Sequence, residues 1–169
     1  MKNFIPTIIF ILTIGCASHY NKTKKREYKK FTDTAFNVGD IIKPPRISFL
    51  IGHCDIMAFS NDSIKVIADF IKKHPSFKVE IGVHSDNRGN TEANLKLSEC
   101  RAMSIFDYLT KELRIPFNNF VTKGYGGTDL LISDETIKKL KNETEEEKEH
   151  VDSIHAKNRR VEIKILKTK

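Results

Sequence analysis

Residues 78–102 read K-V-E-I-G-V-H-S-D-N-R-G-N-T-E-A-N-L-K-L-S-E-C-R-A. The stretch changes period in its middle. Val79, Ile81 and Val83 alternate with polar or small residues, the spacing of a strand with one buried face. Ser85 to Asn90 contain Gly89 and read as a turn. From Thr91 the apolar residues Leu95, Ala102, Ile105, Phe106 and Leu109 fall on one helical stripe, with Asn90 or Thr91 as cap and Glu92 in the first turn. Asn94, Ser98 and Arg101 share a second, polar stripe that runs back towards the corner carrying Asp86. A carboxylate and a guanidinium on two walls of a strand-to-helix corner can hold a zwitterion. Asp86 would take an ammonium and Arg101 a carboxylate, because the planar fork of arginine matches a carboxylate two donors to two acceptors.

Working outward, Pro44-Pro45 interrupts the chain and Arg46 to Ile51 reads as a first strand. A helix starts at Ser60 or Asp62, has the apolar face Ile64, Ile67, Ala68, Phe70 and Ile71, and ends at His74-Pro75. Ile115-Pro116 marks a turn before a strand over Phe120 to Tyr125, and Arg160 to Leu166 forms the last strand. Leu130 to Lys157 separates these two strands. It carries Glu143, Glu145, Glu146, Glu147 and Glu149 and reads as a solvent-facing helix with acid–lysine pairs at helical spacing. The order β-α-β-α-β, insertion, β predicts an α+β sandwich of two layers, helices on one face of a mixed sheet.

Four stretches together resemble one family, the OmpA-like C-terminal domain of Pal-type lipoproteins and related envelope proteins. They are V-H-S-D-N-R-G, A-N-L-K-L-S-E-C-R-A, K-G-Y-G-G and N-R-R-V-E-I, spread between Pro45 and Lys167. The resemblance implies an OmpA-like domain over residues 45–169 that binds peptidoglycan through the diaminopimelate of its stem peptide, tethering the outer membrane to the wall. By position it implies Asp86 and Arg101 as the principal contacts, with Asn94, Arg159 and Ser85 in support. Arg159 is taken over Arg160, which is expected on the opposite face of the strand. Val83, Ala93, Gly127 and Leu50 stand where the family usually has glycine, tyrosine, glutamate and aspartate.

The N-terminus reads as an export signal over residues 1–15, with Lys2 followed by an apolar run from Phe4 to Ile14 too short for a comfortable membrane span. T-I-G-C at Thr13 to Cys16 resembles a lipobox, which implies lipidation of Cys16, an outer-membrane anchor and a domain in the periplasm of a Gram-negative bacterium. Residues 16–44 read as a basic tether. The net charge is +7, from 29 Lys and Arg against 22 Asp and Glu, and Lys22, Lys24, Lys25, Arg26, Lys29 and Lys30 cluster there. Export argues against a nucleic-acid partner despite this balance. Envelope proteins remain possible partners.

Cys54 and Cys100 leave two readings open. An exported protein can pair them, and two free thiols is the plainer alternative; geometry decides. His53, Cys54 and His84 lack the compact spacing of zinc ligands, so no metal or cofactor is expected. His84 and Asp86 are not taken as a base and its orienting acid. No G-x-S-x-G elbow or Walker loop is present, and Glu92 is better explained as a first-turn residue than as the second acid of a glycosidase. The reading is therefore non-catalytic. The alternatives are an envelope scaffold without wall binding and a cell-wall hydrolase.

Overall fold

The computed structural model describes residues 26–140 and 143–169. The export signal and Cys16 lie outside them. Strand β1 (Ile41–Ile42) is followed by α1 (Asn61–Lys73), β2 (Lys78–His84), α2 (Thr91–Asp107), β3 (Phe120–Gly126), α3 (Asp134–Lys138), α4 (Glu145–Asn158) and β4 (Arg160–Lys167). The strands form one sheet in the order β1-β4-β2-β3. β2 runs parallel to β3 and antiparallel to β4, which is antiparallel to β1. The architecture is the mixed α+β sandwich that the periodicity predicts.

The alternation in β2 does what its period requires. Val79, Ile81 and Val83 are buried, and β4 sets Val161, Ile163 and Ile165 beside them on the same face. Against that face lie Ile64, Ile67, Phe70 and Ile71 of α1 and Ala102 and Ile105 of α2, in one continuous core. Asn90 caps α2, its side chain accepting the Ala93 N–H at 2.9 Å. Beyond Asp107 the helix widens into a π turn, Tyr108–Glu112, that buries Leu109. The acidic insertion folds as α3 and α4, and α4 opens with a capping box between Thr144 and Glu147. A Lys148–Glu145 pair lies on its surface at 2.7 Å.

Three expectations are corrected. Arg46 to Ile51 is not a sheet strand; it enters a short excursion closed by an isolated bridge between Phe49 and Ile56. The edge position beside β4 belongs to Ile41–Ile42, so that slot is already filled. Secondly, the stretch read as tether is folded from Arg26 onward. Phe31 and Phe36 meet Phe70 edge-on at 5.5 and 5.4 Å, and Gly39 N donates to Ile165 O at 2.8 Å. Edge-to-face pairs of this kind add about 0.5–1.5 kcal/mol each beyond the area they bury. Thirdly, Leu95 is not a core residue. It is 37% exposed, because α2 meets β3 there backbone to backbone.

That close approach rests on Gly124. A β-carbon at Gly124 would sit 2.2 Å from Glu99 N and 2.6 Å from both Glu99 Cα and Ser98 C. Only a residue without a side chain lets the sheet and α2 come so near.

The cysteine question is settled in favour of the bridge. Cys54 and Cys100 form a disulfide, with Cα atoms 5.6 Å apart. The plainer reading, two free thiols, fails because the excursion closed by the Phe49–Ile56 bridge brings Cys54 to Cys100 of α2. Closing a loop of this length removes about 4 kcal/mol of denatured-state entropy in the chain-entropy account.

Candidate functional site

The C-terminal end of β2 opens into a cleft of ≈ 510 Å³, and Ser85, Asp86, Asn94, Arg101 and Arg159 all line it. Five residues that the sequence spreads over more than seventy positions therefore share one cavity. Asp86 sits at the β2–α2 corner, buried to 7% exposure. Ser85 fixes that corner: its N–H donates to Gly126 O at 2.9 Å and its Oγ donates to Asp86 O at 2.9 Å. Asn94, one turn into α2, donates from Nδ2 to Arg88 O at 2.8 Å. Ser98 of the same stripe faces inward instead and accepts the Gly126 N–H at 2.8 Å, so it holds β3 rather than lining the cleft. Gly127 lies directly behind the corner. A β-carbon there would come within 2.6 Å of Asp86 O, so a glutamate at this position would require the corner to move.

The Asp86 carboxylate is held by cations. Oδ2 accepts from Arg159 Nη1 at 2.6 Å and from Arg88 Nε and Nη2 at 3.3 and 3.1 Å, while Oδ1 accepts the Arg88 backbone N–H at 3.1 Å. Burial pushes the Asp86 carboxyl up, but the hydrogen bonds from Arg159 and Arg88 outweigh it and leave the pKa below the ordinary value. Among the described residues Oδ1 accepts only the Arg88 backbone N–H, so it retains acceptor capacity. Arg88 was not singled out from the sequence. Its signal was an arginine two residues after an aspartate in a glycine-containing turn, where the aspartate side chain receives the i+2 N–H. Arg88 also reaches Asp152 of α4 at 2.9 Å, joining the acidic insertion to the cleft.

Arg101 stands on the opposing wall. Its guanidinium lies over the Phe49 ring, 5.0 Å from the centroid, with Nε donating to His53 O at 3.0 Å and Nη2 to Leu50 O at 3.3 Å. Burial, and then the neighbouring charge of Arg159, lower its pKa. No carboxylate is paired with Arg101 among the described residues. The cleft thus sets one carboxylate against Arg88, Arg101 and Arg159, an excess of positive charge suited to an anionic group of a ligand.

Arg159 and Arg160 part as strand alternation requires. Arg159 ends α4 and turns to Asp86. Arg160 turns the other way into a buried ion cluster, where Nε donates to Glu162 Oε1 at 2.7 Å and Nη1 donates to Asp129 O at 3.0 Å. Glu162 there also accepts from Arg26 and Tyr28. His84 stacks on Tyr125 with ring centroids 4.7 Å apart and points Nε2 at Glu162, 3.4 Å away. His84, Asp129 and Glu162 converge closely enough to suggest a metal centre, but the guanidinium groups of Arg26 and Arg160 already neutralise both carboxylates. The chemistry of this donor set is that of an internal ion cluster. His84 is committed to it and is not a partner for Asp86 in proton transfer.

The OmpA family model matches residues 48–144. A peptidoglycan-associated lipoprotein of Brucella melitensis is 32% identical over 94 residues, which cover 56% of this chain and 52% of the relative. The peptidoglycan-associated lipoprotein of Rhizobium meliloti is 34% identical over 94 residues, covering 56% and 50%. The chain spans about half the length of these relatives. Among solved structures, an outer membrane protein from Borrelia burgdorferi B31 superposes with a TM-score of 0.53 at 27% identity, covering 78% of this chain and 92% of that one. The periplasmic domain of Helicobacter pylori MotB shares the fold, with a TM-score of 0.57 at 20% identity over 80% of this chain and 87% of that one. With a match over more than half its length and the corner, cleft and sheet order described above, this chain belongs to the OmpA family.

Proposed function

We propose that this chain is a non-catalytic peptidoglycan-binding module of an outer-membrane lipoprotein, and that it recognises the diaminopimelate of the stem peptide. The observation that carries the reading is the opposition of Asp86 and Arg101 across one cleft, with Arg159, Asn94 and Ser85 in the same wall. Relatives named for their association with peptidoglycan support it. In this reading the ligand ammonium meets Asp86 and the ligand carboxylate meets Arg101, with Arg159 close enough to share the negative charge. Arg88 and Arg159 keep Asp86 ionised and aimed until the ammonium arrives. In this reading the chemistry of the cleft is binding, not bond cleavage.

The test is binding to purified sacculi and to soluble muropeptides. Each charge-assisted hydrogen bond is worth about 1.5–3 kcal/mol, so Asp86→Ala or Arg101→Ala should weaken binding about tenfold or more. Arg101→Lys should be nearly as damaging, because a point charge does not replace the fork. Free diaminopimelate should compete, and lysine, which lacks the second carboxylate, should compete poorly. Equal sedimentation of wild type and a folded Asp86→Ala/Arg101→Ala variant would leave an envelope scaffold as the reading. Release of sugar or peptide fragments would point to a hydrolase.

The proposed anchor is lipid on Cys16. Multiple acyl chains would hold the chain stably at the membrane, where one alone is marginal. The mature protein should partition into membranes and carry an acyl mass increment on its N-terminal peptide, and Cys16→Ser should remove the increment and leave the chain either uncleaved or soluble. An unmodified N-terminus beginning at another residue would refute the anchor.

A further inference from the structure

We propose that the Cys54–Cys100 disulfide positions the arginine of the cleft: it clamps the 49–54 excursion onto α2 so that the excursion's backbone carbonyls hold the Arg101 guanidinium pointing into the site. The inference rests on the wall-binding reading above and deepens it. Three observations converge. Cys100 is the residue immediately before Arg101 on α2, so the covalent link and the charged side chain leave adjacent positions of one helix. Every polar contact of the Arg101 side chain given above goes to that excursion, Nε to His53 O and Nη2 to Leu50 O, and the ring beneath it is Phe49. The excursion itself is thinly supported: Leu50 is 46% exposed and Ile51 is 97% exposed. Its own ties are a turn, His53 N to Leu50 O at 3.1 Å, and short-range bonds to Asp55 and across Ser48 and Met57. Both residues of the turn that receive Arg101 precede Cys54, so the disulfide closes the excursion against the helix just behind them.

The physical consequence is preorganisation. A long, flexible side chain held in its binding orientation loses less entropy when the ligand carboxylate arrives. Without the bridge the excursion can lift from α2, and Arg101 loses its acceptors and its ring together. The ligand must then order both. Phe49, Ile51 and Gly52 also line the cleft, so the same motion would widen its mouth.

The experiment is a double-mutant cycle on the full-length protein in detergent. Wild type, Cys54→Ser/Cys100→Ser, Arg101→Ala and the triple variant are titrated with a soluble muramyl tripeptide ending in diaminopimelate. The serine pair should bind about threefold to tenfold more weakly, the cost of immobilising one rotamer-rich side chain. In the Arg101→Ala background the serine pair should cause no further loss, because interacting groups are not additive. To separate positioning from loss of fold, the same titration is run on folded wild type before and after mild reduction, with the two freed thiols counted by alkylation and the circular dichroism recorded. Binding should fall on reduction and return on reoxidation. Unchanged affinity after reduction, or an equal loss with and without Arg101, would overturn the positioning role while leaving the wall-binding reading intact. An Arg101→Ala variant that binds the tripeptide as wild type does would overturn both.

Discussion

Glu162→Gln should cost about 3–5 kcal/mol of stability, the range for removing one member of a buried ion cluster. The Glu162 side chain is 6% exposed and accepts from Arg26, Tyr28 and Arg160, with His84 close by. An amide keeps the shape but leaves the buried Arg160 guanidinium, 2% exposed, with only the more distant Asp129 carboxylate at 3.3 Å, and turns an N–H₂ towards donors. Burial pushes the Glu162 carboxyl up, yet the hydrogen bonds from His84, Arg160 and Tyr28 draw it well below its ordinary value of 4.5. The sign follows from linkage. A carboxyl whose folded pKa is depressed gives stability that is fully present above its unfolded pKa and is lost as the pH falls through the folded value. Wild type should therefore weaken below about pH 4.5, and Glu162→Gln should show a flatter decline. Urea midpoints taken at intervals from about pH 7 to about pH 3 measure both effects. A variant with wild-type midpoints and the wild-type acid slope would refute the assignment. Tyr28 offers an independent handle, since burial and the Glu162 carboxylate push its hydroxyl up to about 12.

Gly124→Ala is expected to be comparably damaging, at about 3 kcal/mol, the upper end of the overpacking range. The new methyl would meet backbone atoms of Ser98 and Glu99 at 2.2–2.6 Å, and backbone inside a helix cannot rotate away as the end of a side chain can. α2 must lift from β3. The same helix carries Asn94 and Arg101, so the cleft should suffer with the fold, and muropeptide binding should weaken even where the variant stays folded. Lys123→Ala, at the exposed neighbouring position, is the control; it removes a cation–π contact with the Tyr125 ring, 4.5 Å away, and should change stability by no more than about 1 kcal/mol. Thermal or urea unfolding of the two variants decides it: equal stability would mean that α2 and β3 are not in the contact described.

The readings that held rested on local signals. The β2–α2 corner was legible because the period changes from two to 3.6 around Gly89 and because Asn90 is a strong cap. Alternation at a strand entrance sends Arg159 and Arg160 opposite ways, while the family resemblance alone implies which of the two faces the site. The polar stripe of α2 points back along the helix towards its N-terminus, and this is why Asn94 and Arg101 line the same cleft as Asp86. The first strand failed at the same level of evidence. R-I-S-F-L-I has strand-like composition, but composition does not say which segment takes the edge of a sheet. Ile41–Ile42 takes it, and the apolar residues of 46–51 close a side excursion instead.

What the sequence determined by itself is the set of short-range choices: the two-layer α+β class, the corner that places Asp86, and the helix that carries Arg101. Their physical origin is periodicity and capping, which act within a few residues. Tertiary structure alone decided the rest. It brought Arg26, 136 positions away, to Glu162 and joined Cys54 to Cys100. It also joined Arg88 to Asp152 and let α2 rest on Gly124. Each of these depends on distances between segments remote in the chain. Such distances are set by how the whole core packs, and no local pattern encodes them.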